Sequence, residues 1–164
     1  MIRRATLADL PVIENIYAIA RQFMADNGNP TQWGDGYPKR ELLESDIEKG
    51  ELFVYEEDGA LHGVFAFILG EDPTYAYIED GQWPHNKPYG TIHRIASDGQ
   101  KKGVFTPCFA FALSRADEIR IDTHHDNRVM QHVVQKYGFR PSGVVYMCDD
   151  GTPRIAYEWF EGIE

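Results

Sequence analysis

One stretch, Arg94 to Phe139, restricts the fold more than any other part of the chain. It opens on an apolar, strand-like run, Ile92-His93-Arg94-Ile95-Ala96, and turns through Ser97-Asp98-Gly99-Gln100-Lys101-Lys102-Gly103. A helix-like apolar run follows from Val104 to Ala116, then a second strand, Ile119-Arg120-Ile121-Asp122-Thr123. The polar group His124-His125-Asp126-Asn127 leads into another helical run that closes on Tyr137-Gly138-Phe139. A glycine-bearing turn between a strand and a helix aims successive backbone N–H groups at one point, and the helix dipole adds partial positive charge there. The pattern predicts a cradle for an anion, most naturally a phosphate.

The rest of the chain fits a mixed α/β (α+β) fold. Ile2 to Thr6 reads as a strand, and Thr6 or Asp9 can cap a helix in which Leu10, Ile13, Ile16, Tyr17 and Ala20 recur at helical spacing. Asn27-Gly28-Asn29-Pro30 ends that helix and opens a polar loop through Pro38. A second helix is expected over about Lys39 to Lys49. Strands are expected over Leu52–Glu56, Leu61–Leu69 and about Tyr75–Asp80, with Asp58-Gly59 as a tight hairpin signal. After the Trp83–Pro88 loop comes the strand Thr91–Ala96, and Ser142–Met147 with Ile155–Phe160 reads as a closing hairpin. Without a repeat or linker, residues 1–164 are expected to form one domain with a largely antiparallel sheet and helices on both faces. Pro107 raises a local conflict, because it disfavours helical geometry at Thr106 and predicts a late start for that helix.

The order strand, Gln-x-x-Gly-x, helix, strand, Asn, helix, Gly-Phe resembles the acyl-CoA core of the GNAT superfamily of N-acetyltransferases. The opening Ile2-Arg3-Arg4-Ala5-Thr6-Leu7-Ala8-Asp9-Leu10 is similar to that superfamily's first strand and helix start, so the resemblance covers nearly the whole chain. Gln100 and Gly103 match the family turn, while Phe105 stands where the family has Gly or Ala. The resemblance implies acetyl-CoA as co-substrate and direct transfer of its acetyl group to a primary amine of a small molecule or peptide. It implies cofactor contacts from Ile95, Ala96, Ser97, Gln100, Lys101, Lys102, Gly103, Val104, Phe105 and Asn127. A backbone N–H near Ile95 would face the thioester oxygen. The departure at Phe105 leaves a second reading open, a CoA-binding sensor or interaction domain of the same fold.

Acetyl transfer to an amine also asks for a base and an acid. His93 lies on the cofactor strand two residues before Ile95, and histidine titrates near neutral pH. The alternative is an imidazole hydrogen-bonded within the sheet. His124 follows a strand at its carboxyl end, where Asp122 and Asp126 could orient it, although a helix-entry loop explains the same residues. Many family members place a tyrosine seven residues after the asparagine matching Asn127; here that position is Val134, and Tyr137 lies one turn further on. Tyr137 or water is therefore the candidate acid. Phe23, Trp33, Tyr77 and Trp83 lie on segments bordering the family's acceptor cleft, and Glu79 could attract a cationic amine.

The formal charge of −10 argues against nucleic acid and anionic membranes as partners. Cys108 and Cys148 have neither a disulfide framework nor metal-ligand spacing, and adjacent histidines rarely face one ion, so no metal is expected. Without an apolar leader, a cytoplasmic protein is expected, and a homodimer is compatible with this size.

Overall fold

The computed structural model describes residues 1 to 161; the last three residues of the expected 1–164 domain lie outside the described residues. Seven strands form a single sheet: β1 (Ile2–Arg4), β2 (Leu52–Glu57), β3 (Ala60–Leu69), β4 (Gly90–Ser97), β5 (Glu118–Thr123), β6 (Arg140–Tyr146) and β7 (Pro153–Phe160). Their order is β1-β2-β3-β4-β5-β7-β6, and every neighbouring pair is antiparallel except β4 with β5. The helices are α1 (Leu10–Asp26), α2 (Arg40–Glu48), α3 (Phe105–Leu113) and α4 (Arg128–Lys136). Among the described residues, no helix is long and apolar enough to cross a membrane.

Each face of the sheet has its own core. On one face α1 and α2 bury Leu10, Ile13, Ile16, Tyr17 and Leu43 against Leu52, Val54, Val64 and Ala66. Leu10, Ile13 and Ile16 are at most 1% exposed, and burial of each such side chain stabilises the fold by roughly 1.5–3 kcal/mol. The start of α1 is fixed by Asp9, whose carboxylate accepts from the Thr6 N–H at 2.8 Å and takes both ends of the Arg3 guanidinium at 2.9 and 3.0 Å. The Arg3 hydrogen bond holds the Asp9 carboxyl down at about 2, against the opposing effect of partial burial. On the other face α3 and α4 bury Phe105, Cys108, Phe109, Ala112 and Val134 against Phe65, Phe67, Ile92, Ile119 and Tyr157. Burial pushes the Cys108 thiol up to about 12, so it packs as an apolar group.

The sequence expectation fails in two places. Tyr75–Asp80 is not a strand of the sheet. Pro73 starts a 3₁₀ turn over Pro73–Tyr75, capped by Asp72, and only Glu79 makes a bridge, to Val144. Pro107 also does not delay α3, which begins at Phe105. Its missing N–H falls in the first helical turn, where the donors have no intrahelical partner in any case. The helix instead ends early, at Leu113, with the Ser114 hydroxyl donating to the Phe111 carbonyl at 2.6 Å.

Candidate active site

The parallel strands β4 and β5 pair only at Gly90 with Ile119 and Thr91 with Arg120. Beyond those residues the ladder stops, and a cavity of about 250 Å³ opens between Ile92–Ile95 on one side and Ile121–Thr123 on the other. A bulge in β4 reinforces the split. Val64 pairs with Ala96 and Ala66 with His93, so Arg94 and Ile95 together face Phe65. Arg94 has φ +51°, a left-handed conformation that costs a non-glycine residue on the order of 1–2 kcal/mol. Two contacts hold it there. The Tyr17 hydroxyl donates to the Arg94 carbonyl at 2.7 Å, and the Arg94 guanidinium donates to Asp46 at 2.6 Å. A bulge leaves its extra residue outside the ladder and re-aims the neighbouring backbone. Here that backbone lines the cavity.

A second cavity of about 330 Å³ runs from the same point along the start of α3. Ile95, Ala96, Ser97, Lys101, Gly103, Val104 and Phe105 form one wall, and Met130, Val133, Lys136 and Tyr137 form the other. Ile95 and Met130 line both cavities, so the two chambers meet there. The turn is rigid at its entrance: Asp98 accepts from the Gln100 N–H at 2.9 Å and lies 2.9 Å from His62 Nδ1. Past it, among the described residues, no protein acceptor meets the N–H groups of Lys101, Lys102, Gly103, Val104 and Phe105. Gly103 has φ +71°, and a Cβ there would find only Thr106 Oγ1, at 3.9 Å. The space in front of these donors is open, which fits a phosphate group. The Phe105 ring turns away, packing on Phe109, Tyr137 and Phe139 at centroid distances of 5.9, 4.9 and 6.3 Å. The α3 start sits tightly on the sheet because Gly63 is bare: a Cβ there would lie 2.6 Å from Val104 Cγ1.

His93 lines the first chamber, and its Nε2 lies 2.7 Å from Asp72 Oδ2. Burial alone would raise the Asp72 carboxyl, but the His93 hydrogen bond and charge, with the Thr74 N–H, hold it below its ordinary value. Against that carboxylate Nε2 must carry the proton, so Nδ1 is the nitrogen able to accept one. Asp122 lies across the chamber and accepts from the Tyr75 hydroxyl at 2.6 Å. Burial and the Asp122 charge push the Tyr75 hydroxyl well up, so it stays a donor. Trp33 also lines this chamber, edge-on to Tyr17 at 5.6 Å.

The other expected residues fall elsewhere. Asn127 caps α4, accepting from the Met130 N–H at 3.0 Å and donating to Gln32 at 3.1 Å, and it borders the first chamber, not the groove beside α3. Gln100 and Lys102 are exposed in the turn, and Lys101 lies 3.9 Å from Glu57. His124 borders neither chamber; its Nδ1 accepts from the Asp126 N–H at 3.0 Å, and burial and Arg154 lower its pKa. The Tyr137 hydroxyl is bonded to the Thr106 hydroxyl, which ties it to the side of the groove. Val134, at the position of the family's tyrosine, is fully buried in the core. Phe23 and Tyr77 are exposed outside both chambers, and Glu79 accepts from Tyr77 at 3.4 Å. Trp83 donates to the Tyr75 carbonyl at 2.9 Å and stacks on Arg120, supporting the chamber from behind. Tyr37 and Arg154, which line the chamber from a loop and a distant strand, and Asp72, which stands behind His93, are candidate site residues that no sequence signal marks. No group of metal-ligating side chains occurs among the described residues.

No protein-family model matches the chain, and no curated protein does. Among solved structures, a GNAT-family acetyltransferase from Streptococcus agalactiae is 34% identical, with a TM-score of 0.86 over 98% of this chain and 95% of the other. A GNAT-family acetyltransferase from Listeria monocytogenes (22% identity, TM-score 0.72, 98% and 94% covered) shares the fold. A ribosomal-protein-alanine N-acetyltransferase from Brucella melitensis (15% identity, TM-score 0.60, 98% and 99% covered) shares it too. A sheet split between β4 and β5, an open row of N–H donors ahead of α3, and this identity over nearly the full length agree: the chain belongs to the GNAT family of acetyltransferases.

Proposed function

We propose that this acetyltransferase moves an acetyl group directly from acetyl-CoA to a primary amine of a small molecule or peptide. The observation that carries the reading is the meeting of two chambers at Ile95 and Met130, one leading to the row of free N–H groups and the other to His93. The N–H groups of residues 101 to 105, with Lys101 and Lys136 beside them, would hold the phosphates. The exposed backbone of Ile95 and Ala96 would pair with the extended arm of the cofactor. Acetyl-CoA supplies the activated acetyl group, and the chain supplies everything else. His93 Nδ1, oriented by Asp72, takes the proton of the attacking amine. The backbone freed by the bulge offers an N–H to the carbonyl oxygen as it gains charge, a donor worth about 3–4 kcal/mol. Tyr137, which lines the groove beside Thr106, or water brings the proton to the departing thiolate.

Calorimetric titration with acetyl-CoA tests the cofactor half. Gly103→Glu puts a carboxylate in front of the donors and should weaken binding at least tenfold, about 1.4 kcal/mol. Gly103→Ala carries the same backbone strain without charge and should lose far less. Equal affinity in the folded glutamate variant would remove the cradle from the account.

A further inference from the structure

Resting on that reading of the acceptor chamber, we propose that the acceptor is an apolar α-amino acid, whose carboxylate is bound by Arg154. The evidence is a buried guanidinium without a direct ion pair. Arg154, on β7, is only 6% exposed, yet among the described residues no carboxylate oxygen lies within 4.0 Å of it. The comparably buried Arg120 has Glu158 at 3.6 Å, and the Arg94 guanidinium has Asp46 at 2.6 Å. In a chain with 26 acidic and 16 basic residues, an unpaired buried guanidinium is out of pattern.

The contacts of Arg154 leave it half satisfied. Nη1 donates to the Thr152 hydroxyl at 2.9 Å and to the Pro153 carbonyl at 3.0 Å, while Nη2 has only the Gln32 carbonyl, at 3.5 Å. Asp149 and Asp150 line the same chamber with exposed carboxylates; the Thr152 hydrogen bonds and, to a smaller extent, the Arg154 charge lower the Asp150 carboxyl, which meets Arg154 only through the Thr152 hydroxyl. Asp150 accepts from the Thr152 N–H and hydroxyl at 2.9 and 2.6 Å, and Asp149 accepts from the Asp150 N–H at 2.8 Å. The planar guanidinium is therefore held on one edge and lines the chamber, the arrangement that captures a carboxylate.

The remaining walls complete the specificity. Asp122 and His93 are placed to meet the ammonium end, and Met24, Trp33 and Met147 offer an apolar surface to a side chain. About 250 Å³ suits a small molecule of this kind. In the reaction, the α-amine nitrogen forms a bond to the acetyl carbon as the carbon–sulfur bond breaks. The ammonium first gives one proton to His93, which passes it on to solvent, and the second proton leaves the nitrogen after attack and reaches the departing thiolate through water.

The test compares matched acceptors with the wild-type enzyme. Leucine, methionine and phenylalanine are each assayed beside their amides and their decarboxylated amines, with thiol release and product mass as readouts. In at least one series kcat/KM should favour the free acid at least tenfold. Arg154→Met should bring that preference within about twofold, chiefly through KM, and Arg154→Lys should restore part of it. Equal rates for acids and amides, or preference for the decarboxylated amines, would overturn the inference while leaving acetyl transfer intact. Silence across all three acid series would overturn it as well, and the acetyl-CoA titration then judges the underlying reading separately.

Discussion

The role proposed for His93 rests on a partner that comes from 21 residues earlier in the chain. Asp72 accepts from the Thr74 N–H at 2.9 Å and from His93, so both its position and its charge are fixed before any substrate arrives. That arrangement leaves Nδ1 as the working nitrogen, and it predicts unequal losses on substitution. His93→Ala should lower turnover by roughly 10²-fold and remove the limb of the pH–rate profile near neutrality, with acetyl-CoA affinity kept within twofold. Asp72→Asn should fall between that variant and the wild type, since the amide oxygen still accepts from Nε2 but carries no charge. Normal turnover and an unchanged profile in His93→Ala would pass the role to Asp122 or to solvent. Asp72 is invisible to sequence reading because its partner lies on the far side of a loop. Arg154 is hidden for the same reason, since its burial depends on Gln32 and Thr152, which come from different ends of the chain.

At the scale of elements, what could be read from the sequence was whatever local pattern controls. The α1 positions Leu10, Ile13, Ile16, Tyr17 and Ala20 are all buried, because one stripe at helical spacing has only one way to meet a sheet. The turn before α3 was equally legible, since its glycine and its donors lie in one contiguous stretch. Competition between signals caused the misses. Alternating residues from Tyr75 to Asp80 suggest a strand, but Pro73 and the Asp72 cap start a 3₁₀ turn first, and burial of Tyr75 against Asp122 fixes it. Pro107 suggests a late helix start, but a proline in the first turn removes a donor the helix does not use. Phe105 departs from the family's Gly or Ala at the turn, but its side chain belongs to the core. The bulge at Arg94 has no sequence signature, because it is made by Tyr17 and Asp46 from α1 and α2. That bulge turns an ordinary strand edge into the wall of a site.

For the molecule as a whole, the acidic balance has a buried counterpart beneath the loop that carries Trp83. Glu118, Arg120 and Glu158 lie on neighbouring positions of β5 and β7, each at most 4% exposed, with Arg120 between the Trp83 and Tyr89 rings at 3.9 and 3.8 Å. Burial, together with Glu118, raises the Glu158 carboxyl to about 7, although Arg120 opposes the shift. The folded state thus holds a proton more tightly than the unfolded chain does. Stability from this group is full below the ordinary carboxylate range and is lost as pH rises through about 7. Melting temperature should therefore fall between pH 6 and pH 8, by roughly 2–4 °C per kcal/mol lost. Glu158→Gln, which needs no proton, should flatten that slope and melt above the wild type at pH 8. A parallel slope in the variant would remove the pair from the account. The central claim, that the two chambers meeting at Ile95 and Met130 carry acetyl from acetyl-CoA to an amine, has a more direct test. The purified protein is incubated with acetyl-CoA and a panel of primary amines, and products are identified by mass. The account predicts a product heavier by one acetyl group, formed together with one free thiol, and formed far more slowly by Gly103→Glu and His93→Ala. Tight acetyl-CoA binding without an acetylated product from any amine, peptide or amino acid would contradict it.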